Sequence, residues 1–413
     1  MPATMRGMKT HQLLGQLSSL NQMMAQLLLS LPEAEGYHRF DPQLPPLAWL
    51  VGRAAYLESY WIREVVQQDP DRSARVRHLF GHGVVIDERL IAQLPPRDHL
   101  LNWALELHDQ HLTWLANPGQ LPAHPLLQQA QLLPLLLQQQ AALYEQMLQQ
   151  LAERALQQDW GDYQVAQPLQ PHPPSADHAV LHKGHYRIGA RHDDRLALAR
   201  ELPPQMVQLD AFRIDRQPVS NGAWLAFIEA GGYQQAPLWE SSGWQWQQQQ
   251  PVSAPHHWRT DRAGHWYAIG LNGPYALTAS DAVSGVTRHE AIAYSHWVAA
   301  QGGELAGAVL QHEYQWEVAQ RAGALQQVGT VREWCSNPYH DYSGYVSPEW
   351  IEAQTQIVAA AGVLRGSSLH SQPLQRRSSY REAVAVDRRN HVSGLRLVFP
   401  AATMPWETSE TGA

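Results

Sequence analysis

The chain has 413 residues, 44% of them hydrophobic and 16% charged, with a formal charge of -8. That length can bury two separate cores, and an acidic balance without a basic block argues against a nucleic-acid partner. No apolar run reaches the roughly 18 residues of a membrane span, and residues 1–15 lack a secretory-signal pattern, so neither membrane nor export is expected. The single cysteine, Cys335, excludes an internal disulfide and fits a reducing cytoplasm, the expected location.

From His11 to about Gln158, leucine, alanine and glutamine dominate, and apolar residues recur at helical spacing. The spacing predicts helices at about 9–31, 46–68, 95–116 and 124–157. Pro45-Pro46 opens the second, whose Leu47, Leu50, Ala54 and Leu57 form one stripe. A long loop is expected over 69–94, with Gly81, Gly83 and then Pro95-Pro96. Four helices with one long connection predict an up-down bundle over 1–160. Pro168, Pro171, Pro173 and Pro174 mark a stiff linker within 161–178.

Beyond the linker the texture changes: eleven of the 16 tryptophans follow residue 180, and glycine is frequent. Helices are predicted from Asn221 to Ala230, capped by Ser220 or Asn221, and from Arg288 to Ala300. Short strands and loops around large aromatics fill the rest of a domain over 179–402, with a tail at 403–413. Gln247 to Gln250 reads as a solvated loop. Only Lys9 and Lys183 are lysines, which reflects composition or a use of arginines as planar anion clamps.

Several blocks carry a family resemblance. Phe212-Arg213-Ile214-Asp215-Arg216-Gln217-Pro218-Val219-Ser220-Asn221, Leu310 to Glu317, Gly329 to Trp334, Val363 to Ser368 and Gly394 to Leu397 resemble, in order, the signatures of the formylglycine-generating-enzyme fold, a C-type-lectin-like variant. Phe227 to Tyr233 and Leu238 to Trp244 resemble its sulfoxide synthase branch. Leu44-Pro45-Pro46-Leu47-Ala48-Trp49-Leu50-Val51-Gly52-Arg53 looks like the corresponding bundle motif. The resemblance implies an α+β protein, a DinB-like four-helix bundle followed by a formylglycine-generating-enzyme-like domain. It points to the ergothioneine, ovothiol and selenoneine synthase group, whose members join sulfur or selenium to an imidazole with oxygen and non-haem iron.

In that group three histidines hold the iron, and the positions that match them here are Arg53, Gln139 and Leu143. Leucine has no donor atom, and a guanidinium keeps its proton and repels a dication. The first expectation is therefore a relative without the iron site and without a cofactor, binding a small zwitterion or carboxylate, or associating with an active relative. The alternative is an oxygen-dependent enzyme with a relocated Fe(II) site, for which His108 and His111, at i and i+3, are the candidates. The competing expectation for that pair is a polar helix face turned to water. His78 and His82 read as a chance pair in the loop, His182 and His185 as strand and turn, and Cys335 as a buried small residue rather than a nucleophile. The stretch matching the imidazole-substrate pocket reads Arg381-Glu382-Ala383-Val384, ahead of Arg388-Arg389. With Arg332 these residues either bind a ligand, as bidentate clamps, or form structural ion pairs with Glu382, Asp387 or Glu333.

Overall fold

The computed structural model describes residues 3–347 and 361–401. The expected tail at 403–413 lies outside them. Contacts divide the chain into two compact units: Met1–Gln158 with Asp193–Leu196 and Gln372–Leu374, and the remainder. The first is helical and the second rich in sheet, so the chain is a mixed α+β protein.

The helical unit is built on α1 (Ala3–Leu29), α2 (Leu47–Ser59), α3 (Asp71–Phe80), α4 (Arg97–Ala116) and α5 (Leu132–Leu156). α2 follows Pro46, as Pro45-Pro46 suggests, and runs on as a π-helical segment, Tyr60–Val66. The 69–94 connection is not a plain loop. It contains α3, so His78 lies on a helix. Gly52 explains how α3 closes on α2: a Cβ there would meet the Phe80 ring at 2.3 Å. Leu47, Leu50, Ala54 and Leu57 share a core with Met24, Leu100, Leu143 and Met147. Gln150 crosses from α5 to donate to the carbonyls of Leu44 and Pro45, both at 3.0 Å, fixing the entry to α2.

The sheet-rich unit holds β1 (His178–Leu181), β2 (Gly184–Ile188), β3 (Gln205–Leu209), β4 (Phe212–Asp215), α6 (Asn221–Glu229), α7 (Ser241–Gln249), β5 (Trp258–Thr260), β6 (Trp266–Gly270) and β7 (Gly273–Ala276). α8 (Arg288–Ala300), β8 (Val309–Leu310), α9 (Glu313–Arg321), β9 (Arg332–Pro338), β10 (Ala361–Arg365), β11 (Arg381–Ala385), β12 (Ser393–Leu395) and β13 (Leu397–Pro400) follow. Its larger sheets run β1-β4-β13-β8 and β11-β10-β9-β12, and β12 pairs with β9 in parallel.

Ser220, not Asn221, caps α6, accepting from Ala223 N at 3.3 Å. Thr287 and Glu290 form a reciprocal capping box at α8. The glutamine run is helical up to Gln249 and not a loop there: Gln248, Gln249 and Gln250 are exposed as expected, but Gln247 is buried on α7 and donates to Val252 O at 2.7 Å. Trp224, Trp316 and Trp334 are fully buried. Gly366 has φ +79°, and a Cβ there would press on Trp316 at 3.0 Å, so glycine suits both its backbone and its space.

Candidate functional site

In the helical unit the three positions matched to iron ligands are occupied by packing and backbone contacts. The Arg53 guanidinium donates to Phe80 O, faces His82 Nδ1 at 3.2 Å and lies over the Trp49 and Tyr56 rings. Burial lowers its pKa, against the pull of Tyr56, but a guanidinium still keeps its proton. Gln139 Oε1 accepts from Trp61 Nε1 at 2.8 Å, and Leu143 is buried in the apolar core. This donor set does not fit a ferrous ion.

The polar centre of the unit lies elsewhere. Glu58 of α2 is 1% exposed, and its carboxylate is approached by His108 Nδ1 at 3.1 Å and His111 Nδ1 at 3.2 Å, both from α4. Asn21 of α1 and Gln140 of α5 donate to the same oxygen at 3.0 and 2.5 Å. Four helices thus meet at one carboxylate. Burial alone would raise its pKa, but the hydrogen bonds from His108 and His111 lead the opposing interactions and hold it far below the usual glutamate range.

His108 and His111 therefore do not lie on a face turned to water; both are buried. Their spacing from Ala104 and Leu107 puts them on the inner stripe of α4. Arg63 approaches His111 Nε2 at 3.3 Å. Arginine only donates, so that nitrogen accepts and Nδ1 carries the proton given to Glu58. A metal at Nδ1 would displace that proton and turn an N–H against Arg63. The geometry suits a charge network, and among the described residues no group of three or more His, Cys, Asp or Glu is arranged to hold a metal.

In the sheet-rich unit most of the candidate arginines are committed to protein carboxylates. Arg381 is fully buried, bonds Glu313 at 2.7 Å and His340 O at 2.8 Å, and lies between the Tyr339 and Tyr342 rings at 4.5 and 4.3 Å. Arg389 pairs with Glu290 at 3.1 Å, and Arg332 with Glu382. Glu333 takes a bidentate pair from Arg396, both bonds at 2.9 Å. The Arg388 N–H closes a turn onto Ala385 O. Cys335 is buried on β9, and burial pushes its thiol well up, which suits packing and not nucleophilic attack.

One cation that sequence reasoning missed stands apart. Among the described residues, Arg200 Nε is buried without a hydrogen-bond partner, and the guanidinium sits 5.6 Å over the Tyr380 ring. Arg332 lies 5.1 Å over the same ring. Burial lowers the Arg200 pKa, but Tyr380, Glu382, Tyr339 and Glu201 outweigh it, for a net rise. Burial raises Glu382, while Arg332, His391 and Arg200 outweigh it and hold it ionised. Glu382 accepts from Arg332 through Oε2 and keeps 22% of its side chain exposed. Among the described residues no hydrogen bond or ion pair closes between Arg200 and Glu382. Nothing in the run Ala199-Arg200-Glu201 marks this arginine in advance.

Short sheets packed on buried tryptophans and pinned by arginine–glutamate pairs define a class of α+β domain, and its sequence model is that of the Sulfatase-modifying factor enzyme 1-like domain, matched at residues 165–328 and 322–401. The match covers more than half of the chain, which belongs to this family. The chain is also similar to hercynine oxygenase of Mycobacterium tuberculosis, 30% identical over 258 residues, covering 50% of this chain and 57% of that protein. Hercynine oxygenase of Mycolicibacterium thermoresistibile is 29% identical over 260 residues, 50% and 55% of the two chains. The chain thus spans little more than half the length of the curated relatives it matches. PvdO from Pseudomonas aeruginosa matches 57% of this chain and 99% of its own at 17% identity and a TM-score of 0.39.

Proposed function

We propose that this chain is a sulfoxide synthase-like protein that has given up the three-histidine iron site and binds a small zwitterion in its sheet-rich unit. The observation that carries the reading is the unclosed pair of Arg200 and Glu382. A guanidinium with no protein carboxylate bonded to it suits a ligand carboxylate, and Glu382, partly exposed beside Arg332, suits a ligand ammonium group. Tyr380 lies between Arg200 and Arg332 as an apolar floor. The iron half of the reading rests on the donor set at Arg53, Gln139 and Leu143. Similarity to hercynine oxygenases is consistent with a carboxylate-bearing ligand, while the altered positions separate this chain from their chemistry.

Calorimetry with a panel of α-amino acids, betaines and simple carboxylates tests the reading on the full chain. A bound zwitterion is expected, and Arg200→Gln and Glu382→Gln should each weaken it by about 10- to 100-fold, the loss of one charge-assisted hydrogen bond. Absence of binding across the panel, or binding that both variants leave unchanged, contradicts it.

A further inference from the structure

The sheet-rich unit contains a cavity of about 210 Å³, lined in its depth by Val219, Ala223, Tyr294, Leu397 and Phe399. One wall differs in kind: His172, Pro173, Pro174 and Ser175 come from the proline-rich segment that precedes β1 and runs over the surface. Behind it Ala223 is 3% exposed and Val219 7%.

This segment is a strap fastened at its two ends. At one end His172 N donates to Gly222 O at 3.2 Å, and the ring Nε2 stands 3.0 Å from Ser220 Oγ. The ring lies against Gly222, where a Cβ would come within 2.3 Å of its Cδ2, so this close approach needs glycine. At the other end Arg216 N donates to Asp177 O at 3.1 Å, and Arg216 Nε pairs with Asp177 Oδ1 at 3.2 Å. Between the two ends, Pro173 and Pro174 have no amide hydrogen to give. Among the described residues, 173–176 make no hydrogen bond outside the segment 172–177. Leu169 is buried in the core before the strap, and β1 is laddered to β4 after it. Lifting the strap therefore breaks contacts at the His172 end and leaves the elements behind it paired.

We propose that residues 172–177 form a gate over this cavity, which opens by release of His172 from Ser220 and Gly222 while the domain stays folded. The gate is independent of the Arg200 and Glu382 reading and needs neither residue.

The chain's single cysteine, Cys335, is fully buried, so a thiol placed at Ala223 reports on the gate and Cys335 reports on unfolding. Ala223→Cys in the full chain is treated with methyl methanethiosulfonate, and peptide mass spectrometry follows both thiols. The new cysteine should react at least about 30-fold more slowly than free cysteine, yet well ahead of Cys335. His172→Ala and Gly222→Ala, each in this background, should speed its reaction about tenfold, in line with loss of a hydrogen bond. Arg216→Ala removes only an exposed ion pair and should change the rate by less than about threefold. If Ala223→Cys does not fold, Val219→Cys is the second reporter. A reaction as fast as that of free cysteine would show a cavity with no gate. Reaction in step with Cys335 would show global unfolding, and a rate that neither His172→Ala nor Gly222→Ala changes would put the opening elsewhere. Each of these three results overturns the proposal.

Discussion

Replacing Glu58 by glutamine removes one charge from the centre of the helical unit while preserving shape. In the native chain both histidines bond a carboxylate, at 3.1 and 3.2 Å. A hydrogen bond to a charged group contributes about 1.5–3 kcal/mol and a neutral one about 0.5–1.5. Two such bonds weakened together amount to about 2–3 kcal/mol, or a 30- to 150-fold loss of opening protection. Hydrogen exchange of α2 and α4 peptides in the full chain reads this directly. The pH dependence supplies a second signature. Glu58 is held below its ordinary 4.5, so its contribution is present above that value and lost as pH falls towards the depressed folded value. His111 is lowered by burial, more than the pull of Glu58 offsets, so its unfolded form gains a proton first and stability falls as pH drops below 6.5. The native unit should therefore lose protection from about pH 6.5 downward, and Glu58→Gln should flatten the part below pH 4.5. Protection within threefold of native at pH 8, with an unchanged acid limb, would refute the network as a stabilising element.

Other consequences follow from the same contacts. Changing Arg53, Gln139 and Leu143 together to histidine should create Fe(II) affinity measurable by anaerobic titration; continued absence of binding would show that the bundle motif is wrongly matched. Arg381→Met removes the 2.7 Å cation partner of buried Glu313, leaving it Arg365 at 3.5 Å and Asn337 at 2.9 Å, and should reduce stability by about 3 kcal/mol in urea unfolding, whereas Arg200→Gln should change it by less than about 1. Gly366→Ala forces a left-handed backbone and a contact with Trp316, so its urea midpoint should fall by the equivalent of more than about 1 kcal/mol.

Apolar periodicity placed the long helices, because each repeats over many turns and buries one face. It missed α3, whose run Asp71-Arg72-Ser73-Ala74-Arg75 is too polar to announce a buried stripe. Glu58 was legible in principle: it follows Ala54 by four residues on the apolar stripe of α2, where a lone acid needs partners. His108 and His111 sit likewise on the inner stripe of α4, and reading them as solvent-facing overlooked Leu107 and Leu115 beside them. The pairing of Arg381 with Glu313, or Arg396 with Glu333, joins residues more than 60 positions apart and leaves no local trace. Motif order identified the sheet-rich family because its glycines, tryptophans and arginines sit where packing admits few alternatives.

The most direct test of the account is the iron content of purified protein after anaerobic incubation with Fe(II) and removal of free metal. The account predicts near-zero iron per chain, in line with a donor set of guanidinium, amide and alkyl groups at Arg53, Gln139 and Leu143. One tightly held iron per chain would contradict it and place the metal on residues that this reading leaves out.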